Sequence, residues 1–290
     1  MRLPSALQTY LQHHYTSATV ASYGRQIAAY LGSCPASATA GYTEVLAYIG
    51  MLRQRYGNAY TLARELAAIK VYYDWLCDSG QRDDHPARII GLKDPRSRDV
   101  QLQDLLSPAE LQRLLHQQSR YGALYYRNAV LMGLLVHQGL RVSEMAGLRA
   151  NDINLDAGTI YIASTAQTNA RTLSLQPDQV LLFYSYLHGV RPKLLKGNAC
   201  DALLIGLRGN PMPAEDIVKH VQRYCKPIFK DKKVSAGVIH QSVIANLLKA
   251  GHDLLIVQAF AGHKYPSSTE RYRGGDTMNL QAAIDQYYPL

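Results

Sequence analysis

The amino-acid sequence predicts a mainly α-helical protein of two domains, and three observations carry that prediction. Apolar residues recur at helical spacing through most of the first 80 residues and again from about residue 239. A segment rich in Pro, Arg and Asp, without a sustained period, separates the helical parts. A β-strand pattern, in which apolar and polar residues alternate, is recognised within residues 159–176. The length of 290 residues also suits about two domains.

The first domain is predicted over residues 1–84 as a bundle of four helices. The helical segments are residues 4–14, 17–34, 42–57 and 58–80. The last segment ends at Gly80, a typical helix stop, and one of its faces carries Leu62, Leu66, Ile69, Tyr73 and Leu76. Residues 85–104 follow as a predicted extended linker.

The second domain is predicted over residues 105–290. Ser107, with Pro at the next position and Glu110 three residues on, predicts a helix start with a capping box. A helix is expected at about 120–139, and the alternating "TIYIAST" and "RTLSLQ" around the turn "AQTNA" predict a small antiparallel hairpin. The stretch "GVIHQSVIANLLKAG" (237–251) has the pattern of an amphipathic helix, with His240 near its start.

The charge of the chain is unevenly divided. Residues 1–104 hold 11 Lys/Arg and 9 Asp/Glu, a balance of +2, whereas the remainder holds 20 against 13, a balance of +7. A basic excess in one domain suits a polyanion partner, most simply nucleic acid.

Several classes of protein are disfavoured by the sequence. The four cysteines have no CxxC spacing, so neither a zinc site nor a disulfide framework is indicated. No apolar run approaches the roughly 20 residues that span a bilayer. The N-terminal segment lacks the apolar region of a signal peptide. We therefore expect a cytoplasmic protein without a membrane segment.

Three segments resemble the tyrosine recombinase, or phage integrase, family. "QGLRVSEMAGL" (138–148) is similar to the family's "TGLRxSEL", and "LLKAGHDLLIVQAFAGHKYPSSTERY" (247–272) is similar to "LLEAGxDLxxIQxxLGHxxxxxTxxY". Residues 64–115 look like the end of a core-binding domain, a linker and the start of a catalytic domain. The chain thus resembles an Xer-like, two-domain member. This resemblance implies a SAM-like helical core-binding domain and a mostly helical catalytic domain with a small antiparallel sheet, closing as a C-shaped clamp on DNA.

The resemblance also implies roles for individual residues. Arg141 is the counterpart of the arginine that contacts the scissile phosphate, and Glu144 of the acidic residue that steadies the site. His263 takes a conserved basic position, and Tyr272, nine residues on, that of the nucleophile. In such chemistry a tyrosine hydroxyl attacks a backbone phosphate and forms a 3′-phosphotyrosine. Arginine and histidine side chains stabilise the charged transition state, so no metal or other cofactor is expected.

The sequence departs from the family at the helix that begins near residue 239. The family has "HxLRH" there, but the ungapped alignment on "LLKAG" puts Gly237 at the first histidine and His240 at the arginine. The hairpin also lacks the family's lysine, and its nearest basic residue is Arg171. A protonated histidine donates one charged hydrogen bond but cannot grip two phosphate oxygens as arginine does.

Two functions remain open from the sequence. In one, the chain is a site-specific recombinase or integrase that cleaves and rejoins DNA strands, with candidate catalytic residues Arg141, His240, His263 and Tyr272, supported by Glu144. In the alternative, it is a catalytically impaired pseudo-recombinase that binds DNA as an architectural or partner subunit. The candidate DNA contacts are Arg171, Lys232 and Lys233.

Both functions imply double-stranded DNA as a partner. The C-terminal stretch "QAAIDQYYPL" (281–290) resembles the short helix that family members pass to a neighbouring protomer. A homo- or hetero-oligomer on DNA is therefore expected.

Overall fold

The structure, a computed structural model, describes residues 3–93, 104–116 and 122–273. The chain divides into two compact units, Met1–Arg98 and Asp99–Leu290. This boundary falls within the predicted linker 85–104, of which residues 94–103 lie outside the described part. The start of that segment packs onto the first unit, where Ala87 and Ile90 are buried. The domain limits at 84 and 105 stay a prediction, and the predicted C-terminal helix lies outside the described residues.

The first unit is built from four helices, as the sequence predicts. They are α1 (Ser5–His14), α2 (Ser17–Ser33), α3 (Tyr42–Arg55) and α4 (Ala59–Asp78). Asn58 caps α4, because its side chain accepts the Tyr60 N–H at 2.8 Å. The predicted apolar face of α4 is buried and forms much of the core of this unit.

The second unit is mainly helical, which confirms the predicted fold class. Its described helices are α5 (Pro108–Arg113), α6 (Gly122–Val136), α7 (Val142–Gly147), α8 (Pro177–Tyr184), α9 (Arg191–Leu195), α10 (Ala214–Cys225), α11 (Ala236–Lys249), α12 (Leu254–Ala261) and α13 (Pro266–Glu270). A π-helical turn, Ser185–Val190, joins α8 to α9. The capping box at the start of α5 is confirmed, since Ser107 and Glu110 exchange hydrogen bonds. None of the helices in the described ranges is long and apolar enough to cross a bilayer.

The sheet has one strand more than the predicted hairpin. Its order is β1 (Ile153–Asn154), β2 (Thr159–Ile162) and β3 (Arg171–Ser174), with both pairings antiparallel. Strands β2 and β3 are the predicted hairpin. The two residues of β1 are too few to show an alternating pattern in the sequence.

Helix α6 lies at the centre of the second core. Its residues Val130, Leu131, Leu134 and Leu135 are fully buried, and the helix packs against α8 and α11. The C-terminal half of α6, residues 130–136, is apolar throughout and is surrounded by protein. The turn that follows α6 is therefore anchored firmly, and this turn carries Arg141.

We expect Tyr73→Phe to destabilise the first unit more than Tyr30→Phe. The Tyr73 hydroxyl donates to Ser37 O at 2.9 Å, so the Tyr30 hydroxyl, 2.6 Å away, donates to Tyr73. Tyr73→Phe leaves two buried polar groups without partners and should cost about 2–3 kcal/mol, whereas Tyr30→Phe should cost about 1 kcal/mol. Urea unfolding followed by the fluorescence of Trp75, the only tryptophan of the sequence, measures both. Equal losses would contradict this hydrogen-bond direction.

Candidate active site

Arg141 lies in the tight turn between α6 and α7. Gly139 is in the left-handed region there (φ 57°), which glycine adopts at little cost. The Leu140 N–H returns to Leu134 O at 3.2 Å. Arg141 is the N-cap of α7, and its backbone N–H donates to Glu144 Oε2 at 2.9 Å. The turn is thus hydrogen-bonded on both sides of Arg141.

Glu144 forms a buried ion pair with Arg171. Two hydrogen bonds join them, from Nη1 to Oε1 at 2.7 Å and from Nη2 to Oε2 at 3.2 Å, and the two side chains are only 0% and 7% exposed. The third guanidinium nitrogen, Nε, donates to Phe260 O at 2.7 Å. Burial raises the pKa of Glu144, but the hydrogen bonds from Arg171 and from the Arg141 N–H outweigh it and hold the pKa below its usual value.

Gly262 allows this arginine to lie against the end of α12. It is the left-handed C-cap of α12 (φ 69°), and a Cβ there would clash with the guanidinium of Arg171. The Asn169 N–H donates to Gly262 O at 2.8 Å, and Thr168 forms a β-bridge with His263. The hairpin therefore holds the turn that carries His263.

His263 bonds to protein on both ring nitrogens. Nε2 lies 3.0 Å from Arg141 Nη2, and Nδ1 lies 2.8 Å from Thr269 Oγ1. A guanidinium only donates, so Nε2 accepts, and Nδ1 carries the proton and donates to Thr269. Burial lowers the pKa of His263 to about 4, with further contributions from the positive charges of Arg141 and Arg271. This histidine is therefore neutral near pH 7.

His240 is also buried and neutral. Its Nδ1 bonds to Gly139 O, and because a carbonyl only accepts, Nδ1 carries the proton. Nε2 is then an unprotonated acceptor; it is buried and has no partner among the described residues. Burial lowers the pKa of His240 to about 3, aided by the positive charge of Arg141. The ring lies 5.9 Å from that of His263, so the residue does join the site.

Tyr272 follows α13 and lies beside His263. Its ring stacks on His263 with centroids 6.3 Å apart and planes 16° apart, and the residue is 6% exposed. Its backbone N–H donates to Thr269 O at 3.0 Å. Around the ring pack the apolar residues Ile244, Ala245, Val257 and Ala261. The tyrosine is held within its own unit by α11, α12 and α13.

The structure thus gathers most of the residues singled out in the sequence. Those that meet in one site are Arg141, Glu144, Arg171, His240, His263 and Tyr272. Lys232 pairs instead with Glu110 at 2.7 Å, and Lys233 is exposed. The guanidinium of Arg171, which we expected to contact DNA, is occupied by Glu144 and Phe260. No group of side chains in the described ranges could hold a metal ion.

Two contributors to the site were not found from the sequence. Thr269, which is fully buried, fixes the His263 ring, and Gly262 makes room for Arg171. The signal for Gly262 is its place directly after the apolar run of α12, which is typical of a helix stop. Thr269 stands at the threonine of the pattern "LGHxxxxxTxxY", but that pattern does not say what the side chain contacts.

Comparison with known proteins connects this site with a family. The phage integrase family matches residues 104–277. The chain is 29% identical over 283 residues to a tyrosine recombinase XerC of Neisseria meningitidis serogroup C, covering 93% of this chain and 90% of the relative. It is 24% identical over 277 residues to a tyrosine recombinase XerD of Halalkalibacterium halodurans, covering 93% and 91%. The fold resembles the Tn1549 transposon integrase in complex with transposon right end DNA (TM-score 0.66, 16% identity, all of both chains covered).

Arg171→Met should strongly destabilise the second unit. The substitution leaves the Glu144 carboxylate buried without its counter-ion, which typically costs about 3–5 kcal/mol. Arg149→Met is the matched control, because the ion pair of Arg149 with Asp201 is long at 3.5 Å and exposed; it should cost less than about 1 kcal/mol. Urea unfolding followed by circular dichroism compares the two. A loss for Arg171→Met as small as that of the control would contradict a structural role for the buried pair.

The protein should lose stability as the pH falls from about 7.5 to about 5. His240 and His263 stay neutral in the folded protein, with pKa values of about 3 and about 4. The unfolded chain binds protons below about pH 6.5, so each histidine should lower the free energy of unfolding by about 2 kcal/mol at pH 5.

The variant His240→Asn separates the contribution of His240, because an amide N–H can replace Nδ1–H against Gly139. Urea midpoints measured across the pH range should show about 2 kcal/mol less pH dependence than the wild type. His252→Asn, at an exposed position, should behave like the wild type. An unchanged pH dependence in His240→Asn would show that this histidine is not held neutral.

Proposed function

Since the chain belongs to the phage integrase family, we propose that it binds duplex DNA and cleaves and rejoins its strands through Tyr272. The observation that carries the proposal is the assembly of Arg141, His263 and Tyr272 in one site, with the tyrosine ring stacked on His263. The names of the relatives and the DNA in the Tn1549 integrase structure support the same activity.

In the proposed reaction the Tyr272 hydroxyl oxygen attacks the phosphorus of a backbone phosphate. A bond forms between the tyrosine oxygen and phosphorus, and the tyrosine proton leaves to a base or water. The bond from phosphorus to the 5′-oxygen breaks, and that oxygen leaves with the electron pair and takes up a proton from water to become a 5′-hydroxyl. The 3′-phosphotyrosine conserves the bond energy, and attack by a 5′-hydroxyl restores the DNA strand. Arg141 and His263 stabilise the negative charge that develops on the phosphate oxygens in the transition state.

DNA binding requires a rearrangement of hydrogen bonds in this site. Arg141 Nη2 is now bonded to His263 Nε2, so an incoming phosphate takes over that donor. His263 then needs a proton on Nε2 in order to donate to the phosphate. The Thr269 hydroxyl permits this change, because it can either accept from Nδ1 or donate to it. The neighbouring threonine thus makes both forms of His263 available.

His240 contributes to the proposed reaction as a single donor. In the DNA-free protein its Nε2 is unprotonated, and the nearby positive charge of Arg141 keeps it so. A phosphate beside Nε2 opposes that charge and favours the protonated ring. Protonated His240 then donates one charged hydrogen bond, where an arginine would donate two.

A second candidate function is DNA binding without cleavage, as an architectural or partner subunit. It is favoured by His240 at the position where the family has an arginine, and by the hairpin loop 163–170, which contains no lysine. Loss of one charge donor typically slows such a reaction by about 10²–10³-fold. In either function we propose assembly into an oligomer on DNA.

A trapping experiment distinguishes the two functions. The substrate is a nicked suicide duplex that carries the sequence which the protein itself selects from random DNA. We expect the wild type and Tyr265→Phe to form a denaturation-resistant protein–DNA adduct, and Tyr272→Phe to form none, because Tyr272 is the one tyrosine of the described residues that stacks on His263. Tyr265 is a matched control, since it is nearby but 69% exposed.

The readout is the slower band of the adduct after denaturing electrophoresis, alongside a gel shift for binding. Site-specific binding by the wild type with no adduct would reject the cleavage function and support the partner function. An adduct that survives in Tyr272→Phe would reject Tyr272 as the nucleophile.

A further inference from the structure

A second polar pocket lies in the second unit, apart from Tyr272 and its neighbours. Its volume is about 580 Å³. The loop 206–210 forms one side, turned back by the β-bridge between Ile205 and Pro211, and α10 forms another. Its charged and titratable lining residues, which define the α10 pocket, are Arg127, Arg208, Asp216, His220 and Arg223.

Arg127 is a buried cation that has no carboxylate partner among the residues that the structure describes. It is 7% exposed, and its guanidinium donates only to neutral acceptors: Asn128 Oδ1 at 2.7 and 3.1 Å, and Ile205 O at 3.4 Å. Burial lowers the pKa of Arg127, which reflects the cost of keeping this charge away from water. Buried charges in proteins are normally paired, so an anion is the complement that this site lacks.

His220, which also lines the pocket, has an unsatisfied polar atom. Its Nε2 is buried and has no hydrogen-bond partner in the described part of the chain. Burial lowers the pKa of His220 to about 4, and the positive charges of Arg127 and Arg223 contribute. The lining residues Asp216, His220 and Arg223 are spaced four and three apart, so they share one face of α10.

The charge of the pocket favours an anion. Arg127, Arg208 and Arg223 outnumber the single carboxylate of Asp216, and no ion pair among the described residues neutralises these arginines. Several arginines around one pocket suit a group with several charged oxygens, since each guanidinium can donate two parallel hydrogen bonds. We propose that the α10 pocket binds a phosphate group, with Arg127 and His220 at its base and Arg208 and Arg223 at its rim.

The phosphate has two possible sources, which the experiment separates. One is free inorganic phosphate or a small phosphate ester; the other is the backbone of the DNA duplex, and that source rests on the proposed function. The test variant is Arg208→Ala/Arg223→Ala, because both side chains are exposed and neither is needed for folding contacts in the core. The matched control, Arg149→Ala/Lys219→Ala, also removes two exposed charges, one of them from α10, but outside the pocket.

The first arm measures inorganic phosphate by calorimetry and by the shift of the melting temperature. We expect saturable binding by the wild type and the control, and at least a fivefold loss of affinity in the pocket variant. The second arm measures the salt dependence of duplex binding by fluorescence anisotropy. If the pocket holds a backbone phosphate, the slope of log K against log salt should become shallower in the pocket variant only, by about one for each arginine–phosphate pair that the substitutions remove.

Either selective loss supports the proposal and identifies the source of the phosphate. Equal behaviour of the pocket variant and the control in both arms overturns it, because the arginines would then act only through net charge. Failure of the wild type to bind any duplex rejects the proposed function instead, while the inorganic phosphate arm continues to decide the pocket. Arg127→Lys gives an independent check: a lysine keeps the charge but loses the fork, so a wild-type phosphate affinity would also overturn the assignment.

Discussion

The buried ion pair between Glu144 and Arg171 is the interaction on which the site depends. Glu144 uses both oxygens: one accepts from Arg171, and the other accepts from Arg171 and from the backbone of Arg141. Arg171 in turn donates to Phe260 O near the end of α12. One carboxylate and one guanidinium therefore connect α7, β3 and α12, three elements that are far apart in the sequence. Because Arg141 begins one of these elements and His263 follows another, this ion pair sets the distance between them.

The DNA-free site keeps some of its polar groups unsatisfied. Arg141 Nη2 donates to His263, which donates to Thr269, but Arg141 Nε and His240 Nε2 are buried and have no partners among the described residues. Each such group typically costs about 1–3 kcal/mol. Unsatisfied buried groups are rare in native proteins, and where they occur a bound ligand or an ordered water often completes their hydrogen bonds. Both atoms belong to residues that neighbour His263, so they are available to the phosphate of the proposed reaction.

Regular periodicity made most of the fold predictable, and its absence explains the errors. The four helices of the first unit follow from apolar spacing, and the start of α5 follows from Ser107 and Glu110. Strand β1 was missed because two residues show no period. The catalytic candidates Arg141, His263 and Tyr272 could be located only because their spacing resembles a family.

Sequence patterns did not predict which residues a charged side chain would pair with. Arg171 was considered a DNA contact because it is the basic residue nearest to the hairpin position where the family has a lysine. Its guanidinium pairs with Glu144, 27 residues away in the chain. Lys232 was expected to be free for DNA, but Glu110, 122 residues away, accepts from it. Long-range pairs of this kind depend on tertiary packing. The sequence therefore identified which residues carry charge, while the fold decides which of those charges remain available.

The free energy of protonating His240 bears on the choice between the two candidate functions. With a pKa of about 3, protonating this ring near pH 7 costs on the order of 5 kcal/mol, whereas an arginine at the same position would already be charged. A bound phosphate offsets part of that cost, and the larger negative charge of the transition state offsets more. Protonation of His240 is therefore favoured more by strand cleavage than by DNA binding. Because Nδ1 is fixed by the carbonyl of Gly139, two residues before Arg141, the ring also moves with the arginine turn. A chain that only binds DNA has no use for this coupling, whereas a chain that cleaves DNA gains a donor at the moment when the charge develops.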